Sequence, residues 1–118
     1  MTLSRHSRRI LVEAPILRFP NWSIKFHVHI DTSAIAVGAI LAQPYGQVDH
    51  LNSYVSQKLN KAECNYSTTE REALGMVFSI QKFRHYLLAN PFTFYTDHQA
   101  LNVKPWQNLQ MAVVISGI

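Results

Sequence analysis

The sequence predicts an α/β domain built on a mixed sheet: a three-stranded antiparallel meander, then one long helix, then a fourth strand parallel to a central one. Two segments alternate apolar and polar residues as half-buried strands do, and each ends on an aspartate. The segment between them carries apolar residues at helical spacing behind a capping motif. A strand reached through a helical crossover can lie parallel to an earlier strand, which is typical of α/β folds.

The meander is predicted from three short strands separated by turn residues. Residues 26–31 alternate, so their apolar side chains share one face and Asp31 falls on the other. Residues 36–42 form an apolar run short enough to be a buried strand, and the turn residues at 43–46 close it. Residues 52–59 are less regular, and an antiparallel third strand is the most economical interpretation.

The helix has the clearest local pattern in the chain. Ser67 and Glu70 have the spacing of a capping box, and apolar residues then recur at helical spacing as far as Leu88. Pro91 cannot continue the hydrogen-bond ladder, so the helix is expected to end just before it. Residues 92–97 then alternate again, which predicts the fourth strand.

Composition limits the class of protein. With 118 residues, 47% of them hydrophobic, the chain is sized for one globular core. Its formal charge of +4 favours a polyanionic partner such as nucleic acid. Cys64 is the only cysteine, so no internal disulfide can form, and the cytoplasm or nucleus is expected rather than secretion. No apolar run is long enough for a signal-peptide core or a membrane span.

Three carboxylates stand out by position. Asp31 and Asp97 end the first and fourth predicted strands, each opposite in parity to the apolar residues, so parallel neighbouring strands would bring them together. Glu70 lies in the first helical turn, on the face expected to pack on the sheet with Leu74 and Val77. Converging acidic groups repel one another unless they are protonated or a cation lies between them. Mg²⁺ prefers carboxylate and water oxygens and is the simpler solution.

Several segments together resemble one known family. The most specific is Asn-Tyr-Ser-Thr-Thr-Glu-Arg-Glu-Ala-Leu at 65–74; the others are residues 13–17, 26–43, 82–88 and 95–98. In this order they resemble the ribonuclease H region of gypsy-type long-terminal-repeat retrotransposon Pol polyproteins. The resemblance covers about residues 10–102, and the combination is far more specific than any single piece.

The resemblance implies a ribonuclease H-like fold and an endonuclease that hydrolyses the RNA strand of RNA–DNA hybrids during reverse transcription. Two Mg²⁺ or Mn²⁺ ions are the implied cofactors, and Asp31, Glu70 and Asp97 match the first three acidic ligands of the family. A reverse transcriptase domain of a parent polyprotein is the implied neighbour. Six residues are the candidate nucleic-acid contacts: Thr32, Ser33, Gly38, Lys82, Arg84 and His98.

The sequence departs from the family at its C-terminal end. Residues 103–118 do not follow the family pattern, so we expect a divergent tail in place of the last strand and last helix. That helix normally carries a fourth acidic ligand, and no acidic residue follows Asp97 here. Thr32 also stands where alanine is commonest. The expected organisation is a connection from the reverse transcriptase side at 1–20, the ribonuclease H-like domain at 21–102 and the tail.

Each candidate residue also has a structural interpretation. Glu70 could serve only as half of the capping box, and Asp31 and Asp97 could be ordinary strand-end turn residues. His27 and His29 lie two apart on one strand face, but without a third ligand at fitting spacing they are poor grounds for a zinc site.

Two alternatives to the enzyme follow from the missing C-terminal elements. The first is a nucleic-acid-binding remnant that binds hybrids in a salt-sensitive way and cuts nothing. The second is an unstable relic of a decayed retroelement, because a missing edge strand would leave apolar surface and backbone groups exposed.

Overall fold

The computed structural model of the chain describes residues 2–4, 9–11, 19–88, 90–96 and 100–103. Their strands form one mixed sheet in the order β1-β2-β5-β4-β3-β6-β7. The strands are β1 (Thr2–Ser4), β2 (Arg9–Leu11), β3 (Phe26–Thr32), β4 (Ala36–Tyr45), β5 (Val48–Lys58), β6 (Phe92–Tyr95) and β7 (Ala100–Val103). The helices are a 3₁₀ turn (Glu63–Asn65), α1 (Thr68–Lys82) and α2 (Arg84–Leu87).

The predicted meander and parallel strand are confirmed. β4 pairs antiparallel with β3 and with β5, whereas β6 pairs parallel with β3 after the helical crossover. The β3–β4 turn is held by Ser33, whose hydroxyl oxygen accepts hydrogen bonds from the backbone N–H groups of Ile35 and Ala36. The β4–β5 turn needs Gly46, which has φ of +69°, a value that L side chains rarely adopt.

β4 is longer than predicted, because the turn expected at 43–46 occupies only residues 46–47. Pro44 can lie within this strand because the pairing of β4 with β3 ends at Ala42, so its missing N–H faces no neighbouring strand. Beyond the end of the β3–β4 pairing, the buried side chain of Gln43 forms hydrogen bonds with the backbone of the segment before β3. Its amide accepts from the N–H of Asn21 and donates to the carbonyls of Asn21 and Ile24.

The helix begins where predicted but is interrupted. The complete capping box at Ser67 and Glu70 starts α1, which ends at Lys82 instead of continuing to residue 88. Phe83 adopts φ −106° and ψ 24°, outside the helical range, and α2 starts after it. Its ring is 2% exposed, so this non-helical residue lies in the core. Ser79, whose hydroxyl donates to the carbonyl of Met76, lies one turn earlier, and such bonds often bend helices.

The sheet is wider than the sequence predicts. β2 lies parallel to β5, so part of the expected connection at 1–20 pairs with the same sheet. The expected bare edge beyond β6 is corrected, because β7 pairs there. The loss of the family's last strand stays a prediction, because it concerns residues 103–118, of which only Val103 is described. Few residues separate β6 from β7, so the chain can only return antiparallel. Asn102 anchors this edge by accepting hydrogen bonds from Thr93 and Lys25. The domain boundaries stay predictions, and of the tail expected at 103–118, from which the last helix was expected to be missing, residues 104–118 lie outside the described residues.

The main core lies between α1 and one face of the sheet. Its buried members include Phe26, Val28 and Ile30 of β3, as the alternation predicts. The helix face differs from the prediction, because Leu74 and Val77 are only half-buried and Gly75 and its neighbours Phe78 and Ser79 are buried. A side chain at Gly75 would bring its Cβ to 2.4 Å from Cγ2 of Ile30 and 3.1 Å from Cγ2 of Val37. The helix therefore rests directly on β3 and β4 at this glycine.

No helix of the described residues is long and apolar enough to cross a membrane.

Gly75→Ala is expected to destabilise the fold. Overpacking a core costs about 1–3 kcal/mol, which outweighs the gain of about 1 kcal/mol in helix propensity. Urea denaturation should therefore show a lower free energy of unfolding, and the decrease should shrink in an Ile30→Ala background, where the clashing methyl group is absent. A Gly75→Ala variant as stable as the wild type would show that the helix does not rest on β3 in this way.

Candidate active site

Asp31 lies where β3 leaves the core. Ile30, the residue before it, is 2% exposed and packs beneath α1, whereas Asp31 is exposed and pairs with Gly38 of β4. The side chains of a strand alternate between faces, so Asp31 points away from the apolar core, as predicted. A carboxylate at this position has water on one side and a rigid central strand behind it.

Glu70 is an exposed residue in the first turn of α1. Its Oε1 accepts a hydrogen bond of 3.2 Å from the N–H of Ser67, and its own N–H donates to the Ser67 hydroxyl at 3.2 Å. The capping role is therefore real. It occupies one carboxylate oxygen, and the role of Glu70 as a metal ligand stays a prediction.

The direction of α1 brings Glu70 to the same end of the sheet as Asp31. Gly75 rests on Ile30 near the end of β3, and Tyr86, beyond α1, packs on Phe26 at the start of β3 with ring centroids 5.8 Å apart. The helical segment therefore runs antiparallel to β3. Glu70 precedes Gly75 by five residues, or about 7.5 Å of helical rise, which extends α1 past Ile30 towards Asp31.

The third predicted carboxylate, Asp97, and the neighbouring His98 lie outside the described residues. β6 ends at Tyr95, whose register partner in β3 is His29, two residues before Asp31. The parallel pairing of these two strands, on which the predicted meeting of Asp31 and Asp97 depends, is therefore present.

The residues predicted to contact nucleic acid near Asp31 have structural roles as well. Thr32 is the half-buried last residue of β3, and Ser33 holds the following turn through its hydroxyl. Gly38 is buried beneath the half-exposed ring of Tyr54, whose hydroxyl would lie 3.4 Å from a Cβ at this glycine. The close approach expected of a substrate at Gly38 is thus made by a side chain of the protein itself. Contact with nucleic acid at these positions stays a prediction.

The predicted basic contacts lie elsewhere. Lys82 and Arg84 are exposed at the junction of α1 and α2, with the Lys82 ammonium 5.8 Å from the centre of the Phe78 ring. Lys82 follows Glu70 by twelve residues, or about 18 Å along the helix axis. The structure does not bring this basic pair to the carboxylates, and its contact with nucleic acid stays a prediction.

A second cluster, which the sequence did not predict as a unit, lies on the sheet face opposite α1. Oδ2 of Asp49 lies 2.8 Å from Nδ1 of His27 and 2.6 Å from Nε2 of His29. His29 and Asp49 are completely buried and His27 is 8% exposed. The alternation of β3 indicated that the histidines share a face, but no local pattern pointed to an aspartate about twenty residues away.

The two groups of residues differ in the metal they fit. Asp31 and Glu70 are exposed carboxylates, and carboxylate oxygens suit Mg²⁺ or Mn²⁺. His27, His29 and Asp49 offer two imidazole nitrogens and one carboxylate oxygen in a buried position, a donor set that suits Zn²⁺.

Comparison with known proteins identifies the family. A family model described as an RNase H-like domain found in reverse transcriptase matches residues 4–94. The chain is 39% identical over 94 residues to the retrovirus-related Pol polyprotein from transposon 297 of Drosophila melanogaster, covering 80% of this chain and 8% of that protein. It is 41% identical over 95 residues to the corresponding polyprotein from transposon opus of the same species, covering 80% and 10%.

A fungal relative gives the same result. The chain is 37% identical over 97 residues to the transposon Tf2-3 polyprotein of Schizosaccharomyces pombe, covering 80% of this chain and 7% of that protein. The chain thus spans a tenth or less of the length of these relatives. The resemblance to the ribonuclease H region of retrotransposon polyproteins is confirmed, and this chain belongs to the family of RNase H-like domains found in reverse transcriptases.

Proposed function

We propose that this domain hydrolyses the RNA strand of RNA–DNA hybrids in a reaction that requires two divalent metal ions. The observation that carries the proposal is the placement of two exposed carboxylates, Asp31 and Glu70, at one end of the sheet, on a rigid strand and on the helix packed against it. Asp97 is the proposed third ligand.

The proposed roles follow from the chemistry of the donors. Mg²⁺ or Mn²⁺ bound there would supply an activated water and stabilise the leaving oxygen of the phosphodiester. Asp31, anchored by the buried Ile30, would hold its ligand oxygen at a fixed depth at the sheet end. Glu70 would donate its oxygen from a helix turn that the capping box with Ser67 keeps in place.

Choice of the RNA strand would depend on its 2′-hydroxyl groups. A-form helices display these groups in a wide and shallow minor groove, where short polar contacts can reach them. Thr32 and Ser33 lie directly after Asp31, so their backbone is the proposed contact beside the cut phosphodiester. The surface above Gly38, where the Tyr54 ring lies, is the second part of the proposed contact.

The natural setting of the domain is the second part of the proposal. The relatives are polyproteins and the family description places such domains in reverse transcriptases, which supports a covalent reverse transcriptase neighbour. A domain that acts on hybrids during reverse transcription would work in the cytoplasm or nucleus.

A nucleic-acid-binding domain without cleavage activity is the second candidate. The observation that favours it is the exposed basic pair Lys82 and Arg84, which lies about 18 Å along the helix from Glu70 and could bind phosphates without the carboxylates.

Replacing either carboxylate by its amide should abolish cleavage. With Mg²⁺ or Mn²⁺, the wild-type chain is expected to cut the labelled RNA of a hybrid but not free RNA, and Asp31→Asn and Glu70→Gln should each lower the rate by at least about 100-fold. Glutamine can still complete the capping box, so Glu70→Gln removes the charge and keeps the helix start. Gel analysis of the labelled strand gives the rates.

Glu72→Gln is the matched control, since it removes a carboxylate from the same helix turn at a position about 200° around the helix axis from Glu70. Its rate should equal that of the wild type, with thermal unfolding used to verify that every variant is folded. A folded wild-type chain that binds hybrids but cuts nothing would exclude the enzyme and leave the binding domain.

The basic pair should contribute to hybrid affinity by neutralising phosphates. Replacing Lys82 and Arg84 together by glutamine is expected to weaken hybrid binding in EDTA and to reduce the slope of log K against log salt by about 1 for each phosphate that is no longer neutralised. Fluorescence anisotropy at several salt concentrations measures both quantities.

Lys25→Gln is the control for overall charge, because Lys25 is also exposed and donates a hydrogen bond to Asn102. It should leave the salt slope unchanged. Equal slopes for the wild type and the double variant would show that this helix junction is merely a solvated surface.

A further inference from the structure

We propose that His27, His29 and Asp49 form a binding site for one divalent transition-metal ion, with Zn²⁺ the ion that its donors fit best. The site lies on the sheet face opposite α1, and its ligand set does not include the carboxylates proposed for catalysis. It does not depend on the proposed nuclease activity.

The first support is the convergence of three ligand types at one buried point. One nitrogen of each histidine and a carboxylate oxygen of Asp49 all lie within 4.8 Å of one another. The aspartate and His29 are completely buried and His27 nearly so. Aspartate and histidine in such positions are kept together by a proton or by a metal ion.

The second support is how the fold builds the cluster. β4 lies between the strands that carry the ligands, so Asp49 must reach across it. The small residue Ala42, the register partner of His27, leaves room for that reach. A register shift in the β4–β5 pairing gives β5 one extra residue, so Leu51 and Asp49 turn to the histidine face while Val55 faces the main core.

The third support is the chemistry of the donors. Two imidazoles and a carboxylate are the ligands of many zinc sites with three protein ligands, whereas Mg²⁺ favours oxygen donors alone. Tetrahedral zinc with bonds of about 2.0–2.1 Å keeps its ligand atoms roughly 3.3 Å apart. The present separations of 2.6 and 2.8 Å are those of N–H···O hydrogen bonds, so each nitrogen would move away from the oxygen by roughly 0.5 to 0.7 Å.

Binding requires each nitrogen to present a lone pair in place of its N–H. In a neutral imidazole the proton shifts to the other ring nitrogen, and Zn²⁺ then adds two positive charges beside the carboxylate. Any imidazolium instead loses one proton to solvent, which lowers the net gain by one charge. Tyr95 helps to fix both rings. Its ring stacks on His29 with centroids 4.9 Å apart and meets His27 edge-on at 5.0 Å.

Metal titration of the full chain, free of any affinity tag and stripped by chelator, tests the proposal. Zn²⁺ affinity is measured by competition with a chromophoric chelator, and Co²⁺ absorption reports the coordination geometry, both with excess Mg²⁺ present to occupy the carboxylate site. The variants are His27→Gln, His29→Gln and Asp49→Asn. His50→Gln is the matched control, because His50 lies on β5 beside Asp49 but outside the cluster, and Asp31→Asn tests independence from the catalytic carboxylates.

The expected result is one Zn²⁺ per chain and a tetrahedral Co²⁺ spectrum, with affinity lowered at least about 10-fold in the three ligand variants and unchanged in both controls. Zn²⁺ should also raise the Tm of the wild type and of His50→Gln, but not of the ligand variants. Two folded variants suffice, so the failure of one to fold leaves the test intact. A folded wild-type chain that binds no Zn²⁺, or affinity unchanged in two folded ligand variants, would overturn the proposal and leave a hydrogen-bonded His–Asp–His trio.

Discussion

The close contact of α1 with the sheet at Gly75 is the constraint on which the candidate site depends. Because residue 75 has no side chain, the helix backbone approaches Ile30 to a distance that a Cβ would forbid, and it also lies close to Val37. That contact fixes the height of the helix above β3, and the contact of Tyr86 with Phe26 fixes its direction. The position of Glu70 relative to Asp31 follows from these two contacts. Ser67 caps α1 at its start, so Glu70 lies in the first turn of the helix.

β3 serves both faces of the sheet through simple alternation. Its even-numbered residues from Phe26 to Ile30 fill the core beneath the helix, and its odd-numbered residues from His27 to Asp31 are the proposed metal ligands. His27 and His29 lie in the buried part of the strand and meet Asp49, whereas Asp31 lies at the open end. One strand thus separates a buried imidazole cluster from an exposed carboxylate by a step of two residues, or about 7 Å.

The sequence predicted those features of the fold that depend on residues close together in the chain. The meander, the capping box and the parity of Asp31 follow from periodicity and from side chains within a few residues, and all are present. The break at Phe83, the strand β7 and the cluster at Asp49 depend on packing or pairing between distant segments. Asp49 is the clearest case, because one extra residue in β5 decides which face it occupies, and no short pattern marks that shift. The meeting of Asp97 with the other carboxylates stays a prediction.

Paramagnetic broadening by Mn²⁺ in amide NMR spectra tests most directly whether Asp31 and Glu70 share one metal site. Small additions of Mn²⁺ should broaden the amide signals of both residues together, and excess Mg²⁺ should restore both. Signals at the far end of the helices, such as that of Arg84, should persist. Broadening at only one of the two carboxylates, or at neither, would contradict the account, because the two carboxylates would then not share a metal ion.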